Sequence, residues 1–245
     1  MIRRFTDALT VLATMMCASV AALCLPSASG ASSGGGAVAP VGAAAQPANI
    51  TTSASAEGMT IAARESALLR TAVHVSGTLP RADAGHTATI EFLGARTGWL
   101  WQRAAQTVVQ GDGTYAASWR TTLPGKFQVR AIVDQTTARA ASSLPTIIVT
   151  VYRPAIATLF GPGFYGRRTA CRTVLRPWTF GVANRTLPCG TRVALYYGGR
   201  MIVVPVIDRG PYANGASWDL TMATGAALGM YTTATIGAVP LRVVH

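Results

Sequence analysis

A repeated two-residue alternation of apolar and polar side chains, cut at short intervals by turn formers, limits most of this chain to β structure. Thr71-Ala72-Val73-His74-Val75-Ser76-Gly77 alternates, and so does Ala88-Thr89-Ile90-Glu91-Phe92-Leu93. Gln106-Thr107-Val108-Val109 runs into a Gly111-Asp112-Gly113 turn, after which Thr114-Tyr115-Ala116-Ala117-Ser118-Trp119 resumes the pattern. Pro124-Gly125 leads into Lys126 to Val133, and Pro145 to Val151 closes the series. About seven strands at this spacing over residues 58–151 predict a β-sandwich. His74 and His86, on or near these strands, read as surface or packing residues. Tyr152-Arg153-Pro154 reads as a short hinge to a second β-rich unit over residues 155–245.

What precedes the strands sets the compartment. Arg3 and Arg4 come before an apolar run from Ala8 to Leu25, and Pro26-Ser27-Ala28-Ser29-Gly30 supplies small residues for cleavage. Residues 1–30 therefore read as a signal peptide of the general export route. The alternative is an uncleaved anchor, since a run of about 18 residues is near the lower limit for spanning a bilayer. Met16 before Cys17 and Leu23 before Cys24 argue against a lipoprotein. Residues 31–57, rich in Ala, Gly, Ser, Pro and Thr with Gly34-Gly35-Gly36 inside, read as a disordered linker. Export then leaves Cys171 and Cys189, which are expected to form one disulfide.

Charge narrows the partners. The net charge is +12, carried by arginine except for Lys126. That balance favours an anionic partner such as a cell-wall polymer. No basic run or arginine–aromatic ladder points to nucleic acid. Membrane contact is expected only through the signal segment before cleavage. No phosphate loop or dinucleotide motif is present, and no cofactor is expected.

The C-terminal unit carries the chemistry. Gly161-Pro162-Gly163-Phe164-Tyr165-Gly166 makes a wide loop ending near Thr169-Ala170-Cys171. Arg192 to Tyr197 and Arg200 to Ile207 flank Gly198-Gly199, a hairpin signal. Pro205 predicts an edge position or a bulge. Val206-Ile207-Asp208-Arg209-Gly210-Pro211-Tyr212 follows. Then come Trp218-Asp219-Leu220-Thr221, a helix from about Leu220 to Met230 and a last strand from about Gly237 to Val244.

The ordered set Gly-Pro-Gly-Phe-Tyr-Gly, Arg-Thr-Leu-Pro-Cys-Gly-Thr, Val-Ile-Asp-Arg-Gly-Pro-Tyr and Trp-Asp-Leu-Thr resembles the double-psi β-barrel domain of rare lipoprotein A-like proteins. The match is to the cysteine-containing form seen in actinobacteria and covers about residues 157 to 244. The upstream strands more loosely resemble bacterial immunoglobulin-like modules. The resemblance implies an all-β chain: an immunoglobulin-like sandwich and then a six-stranded double-psi barrel with a surface groove. It also implies a secreted or cell-wall-associated protein that cleaves or binds peptidoglycan glycan strands. A protein partner for the sandwich is a further expectation.

Residues 155–245 contain nine arginines and two carboxylates, Asp208 and Asp219, with no glutamate. Cleaving a glycosidic bond needs a proton donor and a base, so either role filled by a carboxyl group falls to these two. The resemblance places the catalytic aspartate at Asp208. Asp219 reads as a helix cap that can line the groove. Tyr165, Thr169, Arg209 and Tyr212 are expected to bind substrate beside it. Asn184 stands where the resemblance calls for histidine, and asparagine does not exchange a proton near neutral pH. Three functions follow: a lytic transglycosylase working through Asp208 with Asn184 orienting it, a non-catalytic wall-binding module, or an adaptor whose sandwich binds a partner while the barrel is a scaffold. The barrel lacks a histidine–carboxylate set for a metal.

Overall fold

The computed structural model describes residues 44–133, 144–212 and 215–241. In chain order its strands are β1 (Gln46–Pro47), β2 (Thr51–Ala56), β3 (Met59–Arg64), β4 (Ser66–Leu68), β5 (Val73–Thr78), β6 (Thr87–Leu93), β7 (Gln102–Val108) and β8 (Thr114–Trp119). They continue with β9 (Gly125–Val133), β10 (Thr146–Phe160), β11 (Val182–Ala183), β12 (Arg192–Tyr197), β13 (Arg200–Asp208) and β14 (Trp218–Thr221). Helix α1 (Met222–Leu228) and β15 (Ala234–Pro240) complete the order. The expected signal peptide, residues 1–30, and residues 31–43 of the expected linker lie outside the described residues.

The alternating segments become strands because each buries one face. Ile61, Val75 and Tyr115 come from the sheet β2-β3-β5-β8, and Ile90, Phe127 and Val149 from β6, β9 and β10 of the other. Together they fill one apolar core. Phe92, Trp119 and Phe127 meet inside it at ring separations of 4.7 to 5.9 Å.

Two expectations need correction here. Part of the linker is strand: β2 pairs antiparallel with β3 from Thr51–Arg64 to Ala56–Met59, and Gln46–Pro47 pairs with β13. Uncharged, small residues cannot form a core, yet Thr51-Thr52-Ser53-Ala54-Ser55-Ala56 still adds a ladder to a neighbour that supplies the apolar face. The hinge at residues 152–154 is likewise absent, because β10 runs through it without a break. Proline's fixed φ is compatible with extended backbone, and Pro154 pairs with Gly237. Tyr152 there stacks on Tyr196, with centroids 5.3 Å apart.

The second half of β10 opens a closed barrel. The ring runs β10-β14-β11-β13-β12-β15 and returns to β10. The β10–β14 and β11–β13 pairs are parallel and the other four antiparallel. Val182, Leu195, Val204, Leu220 and Ile236 fill the interior. The expected hairpin is β12–β13, turning at Gly198-Gly199, both with positive φ. The helix is shorter than expected. Thr221 caps it by accepting from the Thr224 amide, and Gly229 ends it at φ 76°. Thr221 thus takes the capping role expected of Asp219.

Candidate functional site

One irregularity in β13 decides where the first carboxylate points. Ile202, Val204 and Val206 alternate into the barrel interior, so Asp208 would follow them inward. β11 pairs Val182 with Val206 but Ala183 with Asp208, so Ile207 is an extra residue. Such a bulge flips the alternation and turns Asp208 onto the outer face with Ala183. Pro205 stands where pairing with β12 ends, opposite Arg192, one residue before β11 takes over. Ile207 packs against Gly181, where a Cβ would lie 2.5 Å from its Cδ1.

Ala183 also pairs with Asp219 on β14. The two carboxylates therefore flank Ala183 on one face, their backbones two strand spacings or about 9.6 Å apart. Asp208 Oδ1 accepts from the backbone amides of Ala170 at 2.9 Å and Arg209 at 2.8 Å. Its Oδ2 has no hydrogen-bond partner among the described residues. Asp219 Oδ1 accepts the Thr158 hydroxyl at 2.8 Å. Burial pushes the Asp219 pKa above its ordinary 3.8; the Thr158 hydrogen bond opposes that rise and the nearby Asp208 charge adds to it.

The Ala170 amide reaches Asp208 from the tip of a tight hairpin. Gly166 donates to Leu175 O at 2.8 Å, Leu175 to Arg167 O at 2.9 Å and Thr169 to Thr173 O at 2.8 Å. Thr169 Oγ1 accepts from the Thr173 amide, so its hydroxyl serves the turn. Cys171 donates to Ile207 O at 3.3 Å. Cys171 is bonded to Cys189, S–S 2.01 Å, across a separation of 18 residues, as expected from the sequence.

Arg209 braces the opposite turn. Its Nη1 donates to Leu187 O at 2.8 Å and Asn184 O at 3.2 Å, and its Nη2 reaches Cys189 Sγ at 3.4 Å. These contacts use three of the five guanidinium N–H donors on the fold. The Asn184 side chain is committed in the same way. Oδ1 accepts from the Thr186 and Leu187 amides and Nδ2 donates to Ser217 O. Only its main-chain amide reaches Asp208, at the carbonyl oxygen, 3.1 Å away. The expectation that this side chain orients the carboxylate is corrected accordingly: asparagine favours satisfying adjacent backbone amides in a turn.

Tyr165 is half-buried, its hydroxyl over Gly161, where a Cβ would stand 2.9 Å from it. Tyr212 is 77% exposed, just after the cis Gly210–Pro211 bond. The sequence reading missed Thr158. In the sequence Thr158 is merely the polar member of the Ala157-Thr158-Leu159 alternation. Among the described residues no three His, Cys, Asp or Glu stand together as a metal site. No helix among them is long and apolar enough to cross a membrane.

Residues 154–243 match the family model described as "Lytic transglycolase". A protein of Synechocystis sp. named probable endolytic peptidoglycan transglycosylase RlpA is 36% identical over 125 residues, 50% of this chain and 36% of that one. The Aquifex aeolicus protein of the same name is 38% identical over 81 residues, 32% of this chain and 36% of its own. The endolytic peptidoglycan transglycosylase RlpA of Campylobacter jejuni is 27% identical over 122 residues, 49% and 43% of the two chains. Each alignment takes in less than half of the relative's length.

Proposed function

Residues 154–243 being an RlpA-like double-psi β-barrel, we propose that the protein is secreted and acts on peptidoglycan glycan strands as a lytic transglycosylase. The observation that carries this is the pair of unlike carboxyl groups flanking Ala183. Asp219, partly desolvated and beside a like charge, holds its proton to higher pH than an ordinary aspartate and is the donor. Asp208, with Oδ1 pinned by two amides and Oδ2 unengaged among the described residues, is the acceptor. In this reading Asp219 donates its proton to the glycosidic oxygen as the bond to muramic C1 breaks. The muramic 6-hydroxyl oxygen bonds to C1, and its proton passes to Asp208. The products are a 1,6-anhydromuramic end and a free hydroxyl on the departing sugar, with no water consumed. Tyr165 and Tyr212 supply the sugar-facing surface. The upstream strands, residues 58–151, form an immunoglobulin-like module that offers a surface to a protein partner.

Digestion of purified peptidoglycan in 18O-labelled water tests this. Anhydromuramic ends without label are expected by mass spectrometry; labelled reducing ends would make the protein a hydrolase and overturn the reading. One observation favours a second reading, a non-catalytic wall-binding module. The Asn184 side chain is spent on the turn, so the position supplies no group to exchange protons with Asp208. Glycan binding without any anhydromuramic product is the outcome that reading expects.

A further inference from the structure

The contacts around Asp208 form a closed circuit. The Ala170 amide donates to Asp208 Oδ1, and its chain neighbour Cys171 is bonded to Cys189. Cys189 Sγ accepts from Arg209 Nη2, and the Arg209 amide donates to the same Asp208 Oδ1. One carboxylate oxygen is thus held from two sides, by the Ala170 segment that the disulfide ties to Cys189 and by Arg209, whose side chain reaches the same Cys189. None of these atoms belongs to the barrel's apolar interior, which is filled from β10 to β15 and α1.

From this circuit we infer that the Cys171–Cys189 bridge is a positioning device for Asp208, and that opening it leaves a folded barrel with an idle site. The inference rests on the proposed transglycosylase reading. With the bridge intact, the tip of the 166–175 hairpin cannot leave Ile207 and Asp208 without moving the Leu187-Pro188-Cys189 turn that Arg209 also holds. With it open, the hydrogen bonds that fasten the tip to β13 among the described residues are the Cys171 amide to Ile207 O and the Ala170 amide to Asp208. The carboxylate then loses its fixed direction while the sugar-facing residues stay in place. Misplacing a reacting group costs rate, not ground-state binding. Activity therefore depends on an oxidising compartment.

The test compares kcat and KM for anhydromuramic release by the oxidised protein, the dithiothreitol-reduced protein and the protein reoxidised after reductant removal. Reduction yields two protein thiols and cyclic oxidised dithiothreitol. The double variant C171S/C189S supplies the same state without reductant. The expected result is kcat lower by about a hundredfold, with KM and circular dichroism little changed and kcat restored on reoxidation. An unchanged kcat, a rise in KM alone, or loss of the barrel's fold on reduction would overturn the inference. NMR separates it from the functional reading. The Ala170 and Arg209 amide signals should respond to D208N in the oxidised protein, and the Ala170 response should vanish in C171S/C189S. If the oxidised protein releases no anhydro product, the functional reading fails and these signals decide the positioning claim. A persisting Ala170 response then refutes it.

Discussion

Replacing Thr158 with valine keeps the volume of the side chain and deletes the hydroxyl that Asp219 Oδ1 accepts at 2.8 Å. That hydrogen bond is the one influence holding the raised Asp219 pKa down, against burial and the Asp208 charge. Its loss moves the pKa further up. An aspartate whose folded pKa lies above its unfolded value stabilises the fold by its protonated form. That contribution is complete below the unfolded value and disappears as pH rises through the folded one. The variant extends the decline to higher pH. A half-buried carboxylate oxygen without a donor costs about 1–2 kcal/mol, or about 2–8 °C in Tm for a chain of this size. The penalty is therefore small near pH 3, where wild type and variant both hold the proton, and larger near pH 7, as Asp219 ionises. Denaturant melts at the two pH values measure the stability, and a 13C carboxyl titration follows Asp219 itself. An equal loss at both pH values, or an Asp219 that titrates lower in T158V, would refute the reasoning.

Three further substitutions probe the surroundings. R209K should lose most activity, because a lysine ammonium cannot span Leu187 O, Asn184 O and Cys189 Sγ as the planar guanidinium does; activity at the wild-type level would remove Arg209 from the brace. N184A strips the acceptor from the Thr186 and Leu187 amides and should cost about 1–2 kcal/mol in a thermal melt. A melt unchanged from wild type would show that the turn holds without it. G237A places a Cβ 2.7 Å from Tyr152 Cβ and 3.1 Å from Leu68 Cδ2, which should destabilise by about 1–3 kcal/mol. No loss would mean that the small cluster around Tyr152 yields freely.

Much of this was legible because strand period and glycine turns are local signals. The β12–β13 hairpin declared itself through Gly198-Gly199, and Pro205 announced an irregularity near the point where Ile207 bulges. The bulge itself, and with it the direction of Asp208, depends on β11, a two-residue strand from a distant part of the chain. Small residues hid β2, since Thr51 to Ala56 carry no apolar face of their own and gain order only from β3. The hydrogen-bond partners of Asn184 and Arg209 were not legible, because residue type gives capacity to hydrogen-bond but not the partner. Both direct most of their hydrogen bonds to backbone groups, the usual fate of side-chain hydrogen bonds. Thr158 escaped notice for the converse reason: a strand threonine becomes informative only when a cross-strand aspartate is placed opposite it.

The central claim, that chemistry runs through the Asp208–Asp219 pair, is tested most directly by D208N on purified peptidoglycan. Asparagine keeps the oxygen that accepts from Ala170 and Arg209 but cannot take the proton of the muramic 6-hydroxyl. We predict that wild type releases anhydromuramic products while D208N releases none and binds sedimented glycan as tightly as wild type. Release at the wild-type rate by D208N would contradict the account.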